Sequence, residues 1–283
     1  MLAMKLGDSH PLVLASKWYE QRLCQSASAH FTVTNAMRRV LVENFALKAN
    51  VLPLHDRPPS QFQPLDPRAR AAFLSSLDAT KAYADSILLG KSRLLVSSTS
   101  WTPDEDFSVL LEALSTYSQK AITAHPQLPE ILAIITGKGP EKEKYVLQIE
   151  KLKSEGKLEM VTVKTAWLSL DDYASLLGSA DLGVSLHTSS SGVDLPMKVV
   201  DMFGAGLPVL GWNNFEAWPE LVVEGQNGIG FADADGMADK LLSLLSPDNT
   251  MLARLKDGAL AEGKKRWDDE WNPIAGKLFG LVN

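Results

Sequence analysis

One cysteine, Cys24, stands in 283 residues. A single thiol closes no internal disulfide, and no Cys/His pair stands at ligand spacing, so neither a disulfide framework nor a zinc site supports this fold. A reducing compartment is compatible with this usage, and Cys24 reads as a small packed residue rather than a nucleophile. No stretch approaches the roughly 18 consecutive apolar residues that span a bilayer, and Met1 to Gly7 is too short for a signal peptide's charged and apolar regions. The chain is therefore expected to be soluble as it stands. Basic residues are the minority, 28 Lys and Arg against 34 Asp and Glu for a net charge of -6, which removes the general positive field that a nucleic-acid partner requires. Internal repeats and low-complexity tracts are missing too. What is present is 45% hydrophobic residues, enough over this length for a packed core in one large or two ordinary domains.

From Arg93 onward, apolar runs alternate with helical patterns. Strands are predicted over 93–98, 130–136, 159–164, 182–187 and 208–211, and helices over 104–120, 140–155, 170–178 and 197–204. This alternation predicts an α/β fold with a doubly wound parallel sheet, its ligands bound at the carboxyl ends of strands where the strand order reverses. A loop and short strand (224–231) and a helix (234–245) continue the pattern, giving a domain over 93–250. Ahead of it, His10-Pro11 opens an amphipathic helix carrying Leu12, Leu14, Ala15, Trp18, Tyr19 and Leu23. A strand over 29–34, a helix over 35–45 and a strand over 49–54 complete a small alternating unit, 1–56. Four prolines among polar residues, Pro58, Pro59, Pro64 and Pro67, mark a linker, and with a helix over 68–84 they form a connecting segment, 57–92. The last segment, 251–283, is basic at Lys264-Lys265-Arg266 and spaces Trp267 and Trp271 four apart.

The chemistry concentrates between Ser189 and Leu210, SSSGVDLPMKVVDMFGAGLPVL. A buried strand feeds a small flexible loop holding Ser191 and Gly192, Pro196 suits the first turn of the helix that follows, and Gly204-Ala205-Gly206 stops it. A strand, a glycine loop and a helix N-terminus make an anion site, because first-turn N–H groups lack partners and the macrodipole favours negative charge. Lys198 and Asp201 share a face of that helix, so a cation can meet a diphosphate while a carboxylate accepts from ribose hydroxyls. On spacing alone they equally make an exposed ion pair, worth about 0.2–0.5 kcal/mol.

Three features point to the same end of the sheet. Ser98 ends the first strand of the larger domain within SSTSW, where hydroxyls and N–H groups can bind phosphate or simply form a turn. Trp101 reads as packing, Thr102 as an N-cap, and Asp104, Glu105 and Asp106 as first-turn acids that bind anions poorly. Gly137-Lys138-Gly139 follows a buried strand; glycine permits close backbone approach and Lys138 can neutralise a diphosphate, although surface Gly-Lys-Gly turns are common. The spacing is not that of a P-loop. His187, at a strand end, is either a donor to sugar or phosphate or a satisfied strand-end histidine. Glu220, in PELVVEGQNG, either closes over a nucleotide or caps or pairs near a helix, and Trp212, Phe215 and Trp218 suit base stacking or plain packing.

Taken whole, the string from Ser185 to Val209 resembles the donor-site signature of GT-B glycosyltransferases. More narrowly, SLHTSSSGVDLPMKVVDMFGAGLPV and HPLVLASKWYE resemble the eukaryotic chitobiosyldiphosphodolichol beta-mannosyltransferase family. The resemblance implies a GT-B fold with a complete C-terminal Rossmann-like domain that binds the donor. It also implies that 1–56 is the remnant of an acceptor domain and that 251–283 is a terminal helix crossing back to brace it. Implied with it are transfer of mannose from GDP-mannose to dolichol-diphosphate-linked chitobiose with inversion to a β1,4 bond, and no metal or other cofactor. The donor contacts would come from Lys198, Asp201, Lys138, Gly137, Gly139, Ser98, Ser191, Gly192, His187 and Glu220. Full-length members sit on the cytosolic face of the endoplasmic reticulum membrane and are expected to associate with other dolichol-pathway transferases. No residue is assigned as catalytic base: it belongs to the acceptor domain, and His10 reads as a helix-start residue. Little transferase activity is expected of this chain alone. The competing reading is a non-catalytic nucleotide-sugar-binding or scaffold subunit. A nucleotide-sugar epimerase of like architecture is disfavoured by LPMKVVDMFG.

Overall fold

The computed structural model describes residues 6, 7, 9–47, 49–103, 105–188 and 192–282. The first unit runs through α1 (Pro11–Cys24), β1 (Ala29–Thr32), α2 (Asn35–Phe45) and β2 (Asn50–Pro53), with β1 and β2 paired in parallel as a separate two-stranded sheet. His10 caps α1, its Nδ1 accepting from the Leu12 N–H at 3.2 Å. The amphipathic reading of this helix needs correcting: α1 buries only Val13 and leaves Leu12, Leu14, Trp18, Tyr19 and Leu23 exposed, because two strands offer too little surface to cover it.

The connecting segment holds α3 (Pro67–Ser76), a 3-10 turn (Lys81–Tyr83) and α4 (Ala84–Leu88). The single helix predicted over 68–84 is thus broken. Leu77 turns extended (ψ 126°), and the buried Thr80 hydroxyl donates to the Leu74 carbonyl at 2.7 Å, supplying an alternative to the next helical bond.

The larger unit is one six-stranded parallel sheet. Its elements are β3 (Ser92–Ser98), α5 (Phe107–Thr123), β4 (Glu130–Thr136), α6 (Lys142–Ser154), β5 (Val161–Ala166), α7 (Leu170–Ser179), β6 (Leu182–Ser185), α8 (Met197–Gly204), β7 (Val209–Trp212), α9 (Trp218–Leu221), β8 (Gly228–Phe231) and α10 (Ala234–Leu244). The strand order is β5-β4-β3-β6-β7-β8, the 3-2-1-4-5-6 arrangement of a doubly wound fold, with its reversal between β3 and β6. Both faces are covered, which is why the strands read as continuous apolar runs. Leu95, Ile131, Ala133, Ile135, Val161 and Val163 pack with α5 and α10 on one side. Leu94, Val96, Leu132 and Ile134 pack with α7, α8 and the connecting segment on the other.

Several boundaries shift, β5 for one running two residues later than the predicted 159–164. α5 starts at Phe107, capped by Asp106, not near 104 with Thr102 as cap. β6 ends at Ser185, two residues before the predicted end. After β8 and α10, α11 (Met251–Glu262) packs on α8, where Gly263 lets the chain approach the Phe203 carbonyl. The continuous terminal helix is interrupted: α12 (Trp267–Trp271) and a π turn (Asn272–Gly276) follow. Arg266 donates to the Pro58, Pro59 and Phe62 carbonyls, Arg57 pairs with Glu262 and Glu270, and Phe279 meets Phe31 at 6.2 Å. No helix among the described residues is long and apolar enough to cross a membrane.

Candidate functional site

At the carboxyl ends of β3 and β4, next to the reversal in strand order, lies a cavity of about 430 Å³ lined by Ser98, Thr136, Gly137, Trp167, Tyr173, Lys198 and Asp201 among others. A larger cavity of about 700 Å³ adjoins it, sharing Trp167 and Leu168. That one lies along the last residues of β5 against α3 and lacks the Lys198 and Asp201 pair, so the smaller cavity is the candidate site.

The two loops at its mouth are locked together. Gly137 has φ +145°, and a Cβ there would stand 1.8 Å from the Thr99 carbonyl oxygen; one at Gly139 would stand 1.7 Å from that of Ser100. Glycine at both positions permits this approach. Trp101, fully buried and left-handed at φ +48°, donates its Nε1–H to the Gly137 carbonyl at 3.2 Å and stacks on Phe107 and Tyr145. It is a packing residue. Thr136 Oγ1 donates to Ser98 Oγ at 3.2 Å, and Ser98 Oγ donates to the Tyr173 hydroxyl at 2.9 Å, so Ser98 sits in a chain of hydroxyls along the cavity wall.

Lys198 lies in the first turn of α8. It does not pair with Asp201 as a surface couple would. Its Nζ reaches Glu105 Oε1 at 2.5 Å, and Glu105, only 3% exposed, also accepts from Thr99 Oγ1 and the Ser100 N–H. Glu105 is thus no first-turn acid but the buried anchor of the β3 loop, holding the Lys198 ammonium on the cavity wall. Asp201, one turn on, has no salt-bridge partner among the described residues, and burial pushes its carboxyl up to about 7 from the ordinary 3.8.

A folded-state pKa above the unfolded value means the native chain holds a proton that the unfolded chain loses. This stabilising contribution is complete below about pH 4 and is lost as pH rises toward 7. Asp201→Asn is therefore expected to stabilise the chain more at pH 8 than at pH 5 in urea melts. An equal effect at both pH values would contradict it.

The other candidates fall in different places. Lys138 Nζ stands 4.2 Å over the Trp167 ring, at the rim and not among the lining residues. His187 is not in the cavity; its Nε2 meets Asp194 Oδ2 at 3.0 Å and its ring meets Phe215 edge-on. Gly192 takes φ +73°, its carbonyl accepting the Glu216 N–H at 3.0 Å, and Ser191 lies outside the described residues. Glu220 does not line the cavity either. Its carboxylate accepts from the Asn35 N–H at 2.6 Å and the Ala36 N–H at 2.8 Å, capping α2, and meets His55 Nε2 at 3.0 Å. Phe215 and Trp218 pack edge to face on one another. Sequence reasoning missed Glu105, Trp167 and Tyr173. Three consecutive acids in PDED, more than one helix start requires, were the only signal for the first. Among the described residues no group of three His, Cys, Asp or Glu is placed to hold a metal ion.

The doubly wound parallel domain, with a cavity at its switch point, has the architecture of a GT-B glycosyltransferase. The chain belongs to the family described as Glycosyl transferases group 1, whose pattern matches residues 91–247. Its relatives bear out the narrower resemblance: chitobiosyldiphosphodolichol beta-mannosyltransferase of Arthroderma benhamiae is 57% identical over 284 residues, covering 100% of this chain and 63% of that protein. The UDP-glycosyltransferase TURAN of Arabidopsis thaliana is 41% identical, covering 100% of this chain and 69% of that protein. Among solved structures, Anabaena Alr3699/HepE in complex with UDP superposes with a TM-score of 0.71 at 17% identity, covering 94% of this chain and 68% of that one, a likeness of fold. The chain spans 57–63% of the length of the first mannosyltransferase relatives.

Proposed function

We propose that this chain carries the donor-binding part of a mannosyltransferase that moves mannose from GDP-mannose to the terminal GlcNAc of dolichol-diphosphate-linked chitobiose, inverting to a β1,4 bond. The observation that carries this reading is the convergence of Lys198 and Asp201 on one switch-point cavity in a chain so close to proteins of that name. The acceptor hydroxyl oxygen attacks the sugar's anomeric carbon, the bond to the diphosphate breaks, GDP departs, and the hydroxyl proton passes to a base that we do not assign. Negative charge develops on the departing diphosphate, so a fixed cation and helix N–H groups lower the barrier without a metal. Lys198, aligned by Glu105, supplies the cation, and the first turn of α8 supplies the N–H groups. Asp201 takes the ribose hydroxyls. Gly137 and Gly139 let the backbone come close, Ser98 and Lys138 line the approach, and Ser191 and Gly192 are assigned to phosphate contacts on the resemblance. A lipid-linked acceptor places the reaction at a membrane surface, in this reading the cytosolic face of the endoplasmic reticulum beside other dolichol-pathway transferases.

A second reading takes a uridine diphosphate sugar as donor. The name of the Arabidopsis relative and the UDP bound to the Anabaena protein favour it. Calorimetric titration with GDP, UDP and GDP-mannose separates the two. Tighter binding of GDP than of UDP, with GDP-mannose binding at the same site, is the expected result; preference for UDP would replace the first reading by the second.

A further inference from the structure

At the opposite end of the sheet from the donor cavity, the amino-terminal ends of β3 and β6 open into a further cavity of about 420 Å³. Its charged lining residues are Arg70, Arg93 and Lys256 against one acid, Asp181, three cations less one anion. The three cations come from three parts of the chain: Arg70 from α3 in the connecting segment, Arg93 from the start of β3, and Lys256 from α11. Asp181 cannot serve them all. Its Oδ2 accepts the Leu94 N–H at 2.8 Å, and its Oδ1 is shared by Arg70 at 3.1 Å and Arg93 at 3.8 Å.

Two donors are left over. Arg93 Nε is buried with no hydrogen-bond partner, and a buried unpaired donor is costly, more so on a charged group. Lys256 has no salt bridge or hydrogen bond among the described residues. Burial lowers its pKa below the ordinary lysine range, the attraction of Asp181 opposing and the repulsion of Arg70 adding to the fall. The cluster is short of negative charge by about two units, and the missing groups are acceptors.

We infer that this cavity is a second ligand site, which takes a phosphoryl dianion, either inorganic phosphate, a small phosphate monoester or a phosphomonoester headgroup, between Arg70, Arg93 and Lys256. A phosphate monoester carries close to two negative charges at neutral pH, matching the local excess. Its oxygens suit guanidinium N–H groups better than a single-charged halide does. The cavity exceeds what phosphate alone fills, leaving room for a small organic group against Leu244, Leu252 and Pro247. The ligand would tie the connecting segment and α11 to the sheet. This inference does not rest on the donor assignment, since the two cavities share no lining residue.

The test uses the full chain carrying Lys198→Met, which weakens phosphate capture at the donor cavity, and the same chain with Lys256→Met added. Each is titrated with inorganic phosphate at fixed ionic strength and melted in phosphate and in chloride. We expect phosphate, and not chloride, to bind and raise the melting temperature of the first protein. Lys256→Met should weaken phosphate binding roughly tenfold or more without lowering the melting temperature in chloride, because it removes a half-buried charge and breaks no ion pair. Sedimentation with phosphatidylcholine vesicles containing phosphatidic acid separates the sources. Vesicle binding that Lys256→Met abolishes assigns a headgroup, and a response to free phosphate alone assigns a soluble ligand. Absence of both responses, an equal effect of chloride, or phosphate binding untouched by Lys256→Met would overturn the inference.

Discussion

Gly139→Ala is expected to destabilise the chain by about 3 kcal/mol, the upper end of what overpacking costs, and to weaken nucleotide binding with it. The new Cβ would lie 1.7 Å from the Ser100 carbonyl oxygen and 2.9 Å from Trp101 Cβ. Neither neighbour can yield cheaply. Thr99 N–H is bound to the Thr136 carbonyl at 2.8 Å, Glu105 clamps the Ser100 N–H, and Trp101 is fully enclosed. Relief must come from parting the two loops, which moves Ser98 and loosens the Glu105 hold on Lys198. Gly192→Ala is the comparison: its φ of +73° carries backbone strain, but an added Cβ would meet no atom of the described residues within 4 Å, so a loss of only about 1 kcal/mol is expected. Urea unfolding of both variants, with GDP titration of the folded protein, checks this. Near-equal stability of the two variants would show that the loops are not locked as described.

Glu220→Ala is expected to cost about 3 kcal/mol or more while leaving GDP affinity of the folded chain unchanged. Truncation strands the Asn35 and Ala36 N–H groups at the start of α2 and removes one of the two carboxylates flanking His55, whose Nδ1 lies 3.1 Å from Glu270. Burial alone would raise the Glu220 pKa; the hydrogen bonds from Asn35, His55 and Ala36 outweigh it and hold the group below the ordinary carboxylate range. A folded-state pKa below the unfolded value contributes stability above the ordinary 4.5, lost as pH falls through the depressed value. The wild type should therefore lose more stability than Glu220→Gln between pH 7 and pH 4, read from urea midpoints. A collapse of GDP affinity with stability intact would instead return Glu220 to the donor site.

The sheet was legible because strands buried on both faces, such as 131–135, cannot avoid reading as apolar runs. That Lys198 and Asp201 share a helix at the switch point was legible because loop, helix and stop signals bracket them within twenty-odd residues. Glu105 was not: local rules make an acid after Thr-Pro a helix-start residue, and only the tertiary approach of β3 to α8 turns it into the Lys198 partner. Glu220 hid for the same reason, its partners lying about 185 and 165 positions away in the chain. The cation cluster at Asp181 draws on residues 70, 93 and 256, a juxtaposition no local pattern encodes. The helix predicted over 68–84 failed at Leu77, where Thr80 offers the backbone a competing bond.

The central claim, that the switch-point cavity is a nucleotide-sugar site built on Lys198 and Asp201, is tested most directly by calorimetric titration of GDP into the wild-type chain and into Lys198→Ala and Asp201→Ala. The expected result is one binding site in the wild type, weakened roughly tenfold or more by each substitution, with melting curves showing both variants folded. Absence of GDP binding to the wild type, or binding unchanged by both substitutions, would contradict it.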